Sequence, residues 1–257
     1  MIILGEKLNS SIPSTLEAIN SKNDEYIISL CKKQEECGAH YLDINTALAD
    51  DELEAMLYVL KLAQDNTECG IMLDSPNVEV VKEAIKHIKG RSIIINSITL
   101  DERHELINTA KEYGAGLVAL PLTEDGIPET PEERLENAKK LVEIVSAKGI
   151  EIDKLYIDII VEALAVNGEA GKRAIETARL IRNEFPEVHL TCGLSNISFG
   201  LPKRVNINTA FIPALMCAGV DSAIIDITSE RTQDMVAASK ALCGIDEYCM
   251  EYIERFR

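Results

Sequence analysis

The stretch YLDINTALADDELEAMLYVLKLAQDNTECGIML, residues 41–73, contains the pattern that decides the fold. It opens with a short apolar run, Tyr41–Ile44, continues into an amphipathic segment, Asp50–Gln64, and closes with a second apolar run, Gly70–Leu73. Short apolar runs are typical of buried strands, and the longer segment has helical spacing. The stretch therefore predicts a βαβ unit, in which a helix connects two parallel strands.

The same alternation continues along the whole chain and predicts an α/β fold, a (β/α)8 TIM barrel. The expected strands are Ile2–Leu4, Tyr41–Ile44, Gly70–Leu73, Ser92–Ile95, Gly116–Leu120, Leu155–Ile157, His189–Cys192 and Ser222–Ile225. The expected helices are Asp24–Cys37, Asp50–Gln64, Val78–Lys89, Leu100–Tyr113, Pro131–Ala147, Gly171–Glu184, Ile207–Ala218 and Glu230–Ala241. Eight such units in 257 residues match the usual size of this barrel. We expect a single domain over residues 1–257, with a C-terminal helix in Ile245–Phe256.

An open doubly wound sheet is the rival fold for alternating strands and helices. That fold usually carries the motif GxGxxG in its first turn. The first turn of this chain reads Gly5-Glu6-Lys7-Leu8-Asn9 and does not match the motif. The sequence therefore favours the closed barrel.

The charge balance bears on the class of partner. The chain has 26 basic and 43 acidic residues, a net charge of -17. Such a surface repels phosphate backbones and anionic lipids, so neither nucleic acid nor membrane is expected as a partner. No apolar run approaches the ~20 residues of a membrane span. Seven cysteines without a CxxC pair, and no signal-like N-terminus, predict a cytoplasmic protein with reduced thiols.

Asp and Asn residues recur at the ends of the predicted strands, where a barrel of this kind carries its chemistry. The strand-end residues are Glu6, Asn9, Asp43, Asn45, Asp74, Asn96, Asp158, Ser195, Asn196 and Asp226. A carboxylate accepts two hydrogens from an amidine-like edge, and carboxamides donate and accept along a ring. A pterin has such an edge. Each residue alone is more often a helix cap or a turn former, and the functional interpretation depends on the set.

Other kinds of catalytic centre find little support in the sequence. The four histidines form no HxH or HExxH motif and do not gather at strand ends. We therefore expect no metal bound by this chain. No histidine falls near Ser195 in the pattern, so a Ser/His/Asp system is unsupported. An aldolase-type barrel would carry a Schiff-base lysine inside a strand, whereas every lysine lies outside the predicted strands or near their ends.

Six short motifs occur in the order found in one known family. They are Gly5-Glu6-Lys7-Leu8-Asn9, Leu42-Asp43-Ile44-Asn45, Leu73-Asp74-Ser75, Ile95-Asn96-Ser97, Tyr156-Ile157-Asp158 and Gly193-Leu194-Ser195-Asn196-Ile197-Ser198. In these motifs the chain resembles the pterin-binding methyltransferases that act on methyltetrahydrofolate and a corrinoid protein. The resemblance extends from Ile2 to about Ile253. Its most specific part is the last motif together with the following Phe199–Arg204.

The resemblance implies roles for particular residues. By position, Asp74, Asn96 and Asp158 are similar to the residues that anchor the pterin ring in this family. Asn196 is similar to the catalytic Asn that reaches N5 of the folate, and Arg204 is similar to an Arg near the substrate. The other residues that we assign to the pterin site are Glu6, Asn9, Asp43 and Ser195.

The resemblance also implies a substrate and a partner. The substrate is tetrahydrofolate or 5-methyltetrahydrofolate, and the corrinoid is supplied by a partner protein. The chain lacks the DxHxxG run by which a corrinoid-binding module supplies an axial histidine. We expect the partner to dock over the barrel mouth, with help from Lys7, Lys203 and Arg204. By analogy with the family, the chain is expected to form a homodimer.

Several functions remain open at this point. The first is the folate-side component of an anaerobic O- or N-demethylase system. The second is the methyltransferase that serves the corrinoid/iron-sulfur protein of the acetyl-CoA pathway. The third is dihydropteroate synthase, which would need a basic residue near strand seven and an Asn-Asp after strand four. This chain has GLSN and Asn96-Ser97 at those places. The fourth is a non-catalytic folate-binding subunit.

Overall fold

A computed structural model describes residues 1–257 and shows eight parallel strands. The strands are β1 (Ile2–Asn9), β2 (Tyr41–Asn45), β3 (Gly70–Asp74), β4 (Ile93–Ile98), β5 (Gly116–Ala119), β6 (Leu155–Asp158), β7 (His189–Thr191) and β8 (Ser222–Ile225). They pair in chain order from β1 to β7, and β8 pairs with β1. The ring closes between β7 and β8, where the Ile224 amide donates to the Cys192 carbonyl at 2.9 Å. The predicted (β/α)8 barrel is confirmed.

Helices cover the outside of the barrel. They are α1 (Pro13–Asn20), α2 (Asp24–Glu36), α3 (Glu52–Asn66), α4 (Val78–Ala84), α5 (Glu105–Tyr113), α6 (Pro131–Ala147), α7 (Ala170–Glu184), α8 (Arg204–Cys217), α9 (Glu230–Leu242) and α10 (Met250–Arg255). Their apolar faces pack on the outer side of the strands in one buried cluster of 58 residues. None of these helices combines the length and the apolar character that crossing a bilayer would require.

A second, smaller apolar cluster fills the inside of the barrel. Its buried members are Leu4, Met72, Ile94, Val118 and Tyr156, one from each of five strands. Successive side chains of a strand point to opposite sides of the sheet, so residues two positions further along point inward as well. The interior is therefore a packed apolar floor, and the next inward-facing layer lies above it, at the carboxyl ends of the strands.

The first strand is longer than the sequence pattern predicts. The expected strand was Ile2–Leu4, whereas β1 continues to Asn9. Its pairing with β2 shifts register between Gly5 and Leu8, as in a β-bulge. A bulge changes the direction of side chains without ending the strand. The apolar run that marks β1 in the sequence stops before the bulge, so the sequence pattern shows only the first part of the strand. The extension places Lys7 inside a strand, whereas the sequence analysis expected every lysine to lie outside the strands or near their ends. Helix α1 was also not predicted.

The C-terminal helix is shorter than predicted. It was expected within Ile245–Phe256, whereas α10 spans only Met250–Arg255. Tyr248 and Cys249 have left-handed backbone angles, which interrupt a continuous helix. The Asp246 carboxylate accepts hydrogen bonds from the amides of Glu251 and Tyr252, at 3.0 and 2.9 Å. This acidic side chain satisfies the amides at the start of α10, so the helix begins late.

Candidate active site

A cavity of about 720 Å³ opens at the carboxyl end of the barrel. Seventeen residues line it, and nine of them are the predicted site residues. These nine are Glu6, Asn9, Asp43, Asp74, Asn96, Asp158, Ser195, Asn196 and Arg204. Residues up to 198 positions apart in the chain therefore share one space. Their binding and catalytic roles stay predictions, whereas their common location is a property of the fold.

The alternation of side chains along each strand explains why the polar residues meet. Each residue that fills the barrel floor is followed two positions later by a residue of the next layer. The pairs of floor and layer residues are Leu4 and Glu6, Tyr41 and Asp43, Met72 and Asp74, Ile94 and Asn96, Val118 and Leu120, Tyr156 and Asp158, and Ile224 and Asp226. Six of these seven layer residues are polar, so the layer is a ring of carboxylates and carboxamides on an apolar floor.

Strand register aligns four of the polar residues side by side. Asn9 pairs with Asn45, Asn45 with Asp74, and Asp74 with Asn96 across β1, β2, β3 and β4. The Asn45 amide donates to Asp74 Oδ2 at 2.8 Å, and this bond fixes the orientation of the Asp74 carboxylate. Asp74 and Asn96 both line the cavity. The row presents acceptors and donors along one wall, which suits a flat heterocycle with several N–H groups.

Three aspartates of this wall carry perturbed acidities. Burial raises the pKa of Asp158 to about 6, although the Ile160 amide donates to its Oδ1 at 2.7 Å and opposes the rise. Burial also raises the pKa of Asp74 and, together with the nearby Asp74 charge, raises the pKa of Asp43 well above its usual range. Asp43 is 1% exposed, and its Oδ1 has no hydrogen-bond partner. Buried polar atoms are rarely left unpaired, and this one lies at the wall of the cavity.

Glu6 forms a hydrogen-bonded group with the GLSN segment. The Ser195 hydroxyl lies 3.0 and 2.9 Å from the two carboxylate oxygens of Glu6 and donates to them. The Asn208 amide of α8 donates in turn to the Ser195 hydroxyl at 3.4 Å. Burial raises the pKa of Glu6, and the hydrogen bond from Ser195 partly offsets this rise. The contact joins β1 to the loop after β7 and fixes both sides of the cavity.

Arg204 begins α8, and Asn196 lies in the segment between β7 and that helix. Arg204 donates from Nε to the Ser198 hydroxyl at 3.0 Å and from Nη2 to the Ser195 carbonyl at 2.7 Å. Its guanidinium also lies 5.9 Å from the centre of the Phe199 ring. Asn196 is exposed at the mouth, and its carboxamide nitrogen lies 3.0 Å from where a Cβ of residue 193 would be. Gly193 therefore makes room for the Asn196 carboxamide.

Lys7 has a different environment from the one predicted. It lies within β1, and its ammonium forms an ion pair with Asp226 at 2.6 Å. Asp226 also accepts from the amide and hydroxyl of Thr228, at 3.1 and 2.6 Å. The ion pair thus links β1 to the end of β8, at the carboxyl end of the barrel.

Eight further residues line the cavity and were not among the predicted site residues. They are Ser11, Ile12, Pro13, Ser97, Leu120, Gly193, Phe199 and Ile224. The alternation rule would have found Leu120 and Ile224, because each continues the inward-facing pattern of its strand. Ser97, Gly193 and Phe199 stand in or next to the motifs that carry the family resemblance, although no role was predicted for them. Ser11, Ile12 and Pro13 follow β1, and no local sequence signal marks them.

A family model described as pterin binding enzyme matches residues 5–226. This chain belongs to the pterin-binding enzymes. The matched range begins in β1 and ends directly after β8, so it covers all but the first residues of the barrel and includes every residue that lines the cavity.

Two kinds of relatives resemble this pterin-binding enzyme in sequence. It is 34% identical to the methylcorrinoid:tetrahydrofolate methyltransferase of Eubacterium limosum, over 100% of this chain and 96% of that protein. It is 29% identical to the methionine synthase of Mycobacterium tuberculosis, over 88% of this chain and 20% of that protein. The chain therefore corresponds to about one fifth of methionine synthase.

Solved structures of similar fold include two dihydropteroate synthases. The enzyme from Yersinia pestis has a TM-score of 0.69 at 17% identity and covers 95% of this chain and 92% of its own. The enzyme from Coxiella burnetii, solved with pteroic acid, has a TM-score of 0.69 at 17% identity, with 96% and 93% covered. At this level of identity the likeness concerns the fold alone.

Proposed function

We propose that this pterin-binding enzyme transfers a methyl group between N5 of tetrahydrofolate and a corrinoid carried by another protein. The observation that carries the proposal is the ring of carboxylates and carboxamides on the barrel floor, in the position where this fold binds its substrates. The full-length similarity to a protein named methylcorrinoid:tetrahydrofolate methyltransferase supports it. The physiological role that we propose is the folate-side component of an anaerobic O- or N-demethylase system.

The residues of the cavity fit a pterin. In our proposal the carboxylates of Asp158 and Asp74 accept hydrogens from the amino and ring N–H groups, and Asn96 donates and accepts beside them. The unpaired Oδ1 of Asp43 lies in the same wall and offers one more acceptor. These contacts orient the ring more than they move protons, and orientation alone contributes substantially to the rate of a transfer between two bound reactants.

Asn196 is the residue that we assign to N5. When tetrahydrofolate is methylated, the N5 lone pair forms the new bond to the methyl carbon, and the N5–H proton must leave. A carboxamide oxygen can accept a hydrogen bond from N5–H, and its NH2 group can donate to the unprotonated nitrogen in the opposite direction. The position of Asn196 at the exposed mouth of the cavity supports this assignment, because N5 must face the incoming methyl group.

The surface around the mouth supports docking of a second protein. Four large apolar side chains are exposed on loops that follow barrel strands, and we call this set the rim. The rim consists of Leu48 (62% exposed), Ile127 (46%), Val166 (87%) and Phe199 (67%). All four lie at the carboxyl end of the barrel, the end that carries the cavity. A protein that presents a corrin over the cavity would cover these side chains.

The loops that carry the rim are tied together from below. Arg134 of α6 is fully buried and donates to the carbonyls of Pro128 and Ile160 and to the Glu162 carboxylate, at 3.1, 2.8 and 2.6 Å. Arg173 of α7 donates to the same carboxylate at 3.0 Å. These contacts connect the loop before α6 with the loop before α7, so the two loops that carry Ile127 and Val166 are held against each other. Preformed surfaces lose less entropy on binding than mobile ones.

The direct test is a transfer assay. The purified protein would be mixed with methylcobalamin and tetrahydrofolate, with Co(I) followed by absorbance and 5-methyltetrahydrofolate by chromatography. We expect both products, and we expect Asp158→Asn to form them much more slowly at tetrahydrofolate concentrations below saturation, because its affinity for folate is lower. The matched control, Asp153→Asn, changes an exposed aspartate at the opposite end of the same strand and should leave both products unchanged.

Two outcomes would contradict the proposal. Tight folate binding without transfer, from methylcobalamin or from any corrinoid protein tested, would indicate a non-catalytic folate-binding subunit. Turnover of hydroxymethylpterin diphosphate with p-aminobenzoate would instead identify a dihydropteroate synthase. The choice of corrinoid partner is tested by adding candidate corrinoid proteins one at a time.

A further inference from the structure

Two cysteines from different helices meet on the surface of the barrel, away from the cavity. Cys217 is the last residue of α8, and Cys243 directly follows the end of α9. Their sulfur atoms lie 3.2 Å apart. Both residues are in the free thiol state in this structure, Cys217 exposed and Cys243 half-buried. The remaining five cysteines make no such contact with another sulfur.

From this contact we infer a modification site: Cys217 and Cys243 form a reversible intramolecular disulfide when a low-molecular-weight disulfide is present. A disulfide has a sulfur–sulfur bond of about 2 Å, so the two sulfurs need to approach by only roughly 1 Å. Nothing in the proposed methyl transfer uses these thiols.

The backbone at both positions permits this approach. Each cysteine lies at the C-terminal end of its helix, and each is followed closely by a glycine with positive φ, Gly219 at 102° and Gly244 at 69°. Residues at helix ends have fewer backbone hydrogen bonds to break than residues in the middle of a helix. Closing the bond therefore requires a small adjustment of two helix ends and leaves the barrel strands in place.

The two thiols have different roles in the exchange. Burial, and to a lesser degree the hydrogen bond and charge of Cys217, raise the pKa of Cys243 to about 11. Cys243 thus stays protonated next to the more exposed Cys217, which is the sulfur that an external reagent reaches first. In thiol–disulfide exchange the attacking species is the thiolate, and access decides which sulfur reacts.

The exchange balances with oxidised glutathione as the oxidant. The Cys217 thiolate attacks one glutathione sulfur, forms a mixed disulfide and releases one glutathione. Once Cys217 is part of the mixed disulfide, Cys243 loses its proton and attacks the Cys217 sulfur, which releases the second glutathione. Two protein thiols are oxidised, one glutathione disulfide is reduced to two thiols, and two protons leave the protein. A dithiol reductant reverses both steps.

The test uses the intact protein and oxidised glutathione under anaerobic conditions. Free thiols are counted after denaturation, and the linked peptides are identified by mass spectrometry. We expect the seven thiols of the wild type to fall by two, with one Cys217–Cys243 crosslink and full recovery after reduction. Cys249→Ser is the matched control, because it removes another exposed cysteine of the same region, and it should also lose two thiols.

Two single variants separate the steps. Cys243→Ser removes the second thiol and should retain one glutathione on Cys217, seen as a mass increase of one glutathionyl group. Cys217→Ser should gain neither the crosslink nor this adduct at Cys243. An unchanged thiol count in the wild type, or a crosslink that uses Cys249 instead, would overturn the inference. Neither readout involves folate, so the result is independent of the proposed function.

Discussion

Asp158 shows at the scale of a single residue how a binding site opposes stability. Its pKa is raised from 3.8 to about 6 because its carboxylate is partly removed from water. The folded protein therefore binds this proton more tightly than the unfolded chain does. The contribution of Asp158 to stability is fully favourable only below its unfolded pKa, declines as the pH rises through about 6, and becomes a net cost above it.

The first prediction concerns Asp158→Asn at pH 7. We expect the free energy of unfolding without ligand to rise by about 1–3 kcal/mol, because the variant has no charge to bury and its Oδ1 still accepts from Ile160. We expect tetrahydrofolate affinity to fall by roughly one to two orders of magnitude. Denaturant unfolding and calorimetric titration measure the two effects. A variant that is both less stable and equally tight in binding would contradict the assignment.

The second prediction follows from the same pKa. If the Asp158 carboxylate accepts hydrogens from the pterin, binding requires the ionised form. Affinity for tetrahydrofolate should then be constant above about pH 7 and should fall below about pH 6, approaching tenfold per pH unit. Titrations from pH 5 to pH 8 check this. In Asp158→Asn the dependence should flatten, and an identical slope in both proteins would assign it to another group, such as Asp74.

The third prediction separates positioning of the ring from chemistry at N5. Asn196→Ala should bind tetrahydrofolate nearly as well as the wild type, because the ring is held by other residues. Its transfer rate should fall by roughly 10²–10³-fold, the usual cost of losing a hydrogen bond to developing charge. Single-turnover kinetics with methylcobalamin measure the rate. Asn66→Ala, on the outer helix α3, is the control, and a full rate for Asn196→Ala would show that this residue does not act on N5.

At the scale of elements, α6 does more than cover the barrel. Thr130 and Glu133 form a capping box at its start, which fixes where the helix begins. Arg134 follows one position later and reaches under the two loops that carry Ile127 and Val166. The capping box thus fixes the position of Arg134, and Arg134 holds the two loops in place through its hydrogen bonds. Burial lowers the pKa of Arg134, whereas Glu162 opposes this change by pairing with it.

The fourth prediction tests that link. Arg134→Met should lower the free energy of unfolding by about 3–5 kcal/mol, because the carbonyls of Pro128 and Ile160 lose their side-chain donor and the Glu162 carboxylate keeps only Arg173 as a partner. Denaturant unfolding measures this loss. Arg179→Met, on the exposed face of α7, is the control and should change stability by less than about 0.5 kcal/mol. A loss as small as the control's would mean that the loops do not depend on Arg134.

At the scale of the whole molecule, the proposed function assigns the folate to the cavity and the corrinoid protein to the rim. The fifth prediction is that Val166→Asp lowers kcat/KM with a corrinoid protein by roughly tenfold, since docking would bury a new charge. With free methylcobalamin the same variant should behave like the wild type. Leu242→Asp, an equally apolar and exposed position near the C-terminus, is the control. Equal losses with both methyl donors would place the effect in the cavity instead of at a docking surface.

The sequence by itself determined the barrel and most of its polar layer. Alternation of side chains along a strand is a local property, so the spacing from Met72 to Asp74 or from Tyr156 to Asp158 can be read without coordinates. Parallel strands of one barrel end at the same edge, and this topology alone brings their terminal residues together. The same reasoning supplied the fold and the place of the polar layer, whereas the resemblance to a known family supplied the candidate pterin anchors.

Only the tertiary structure decided the contacts between loops and the continuation of β1. The bond from Ser195 to Glu6 joins residues 189 positions apart, and it exists because the barrel closes between its last strand and its first. The bulge in β1, the contacts of Arg134 with two loops and the meeting of Cys217 with Cys243 likewise join residues of different elements. Such contacts leave no periodic signal, because each depends on distances that no single strand or helix sets.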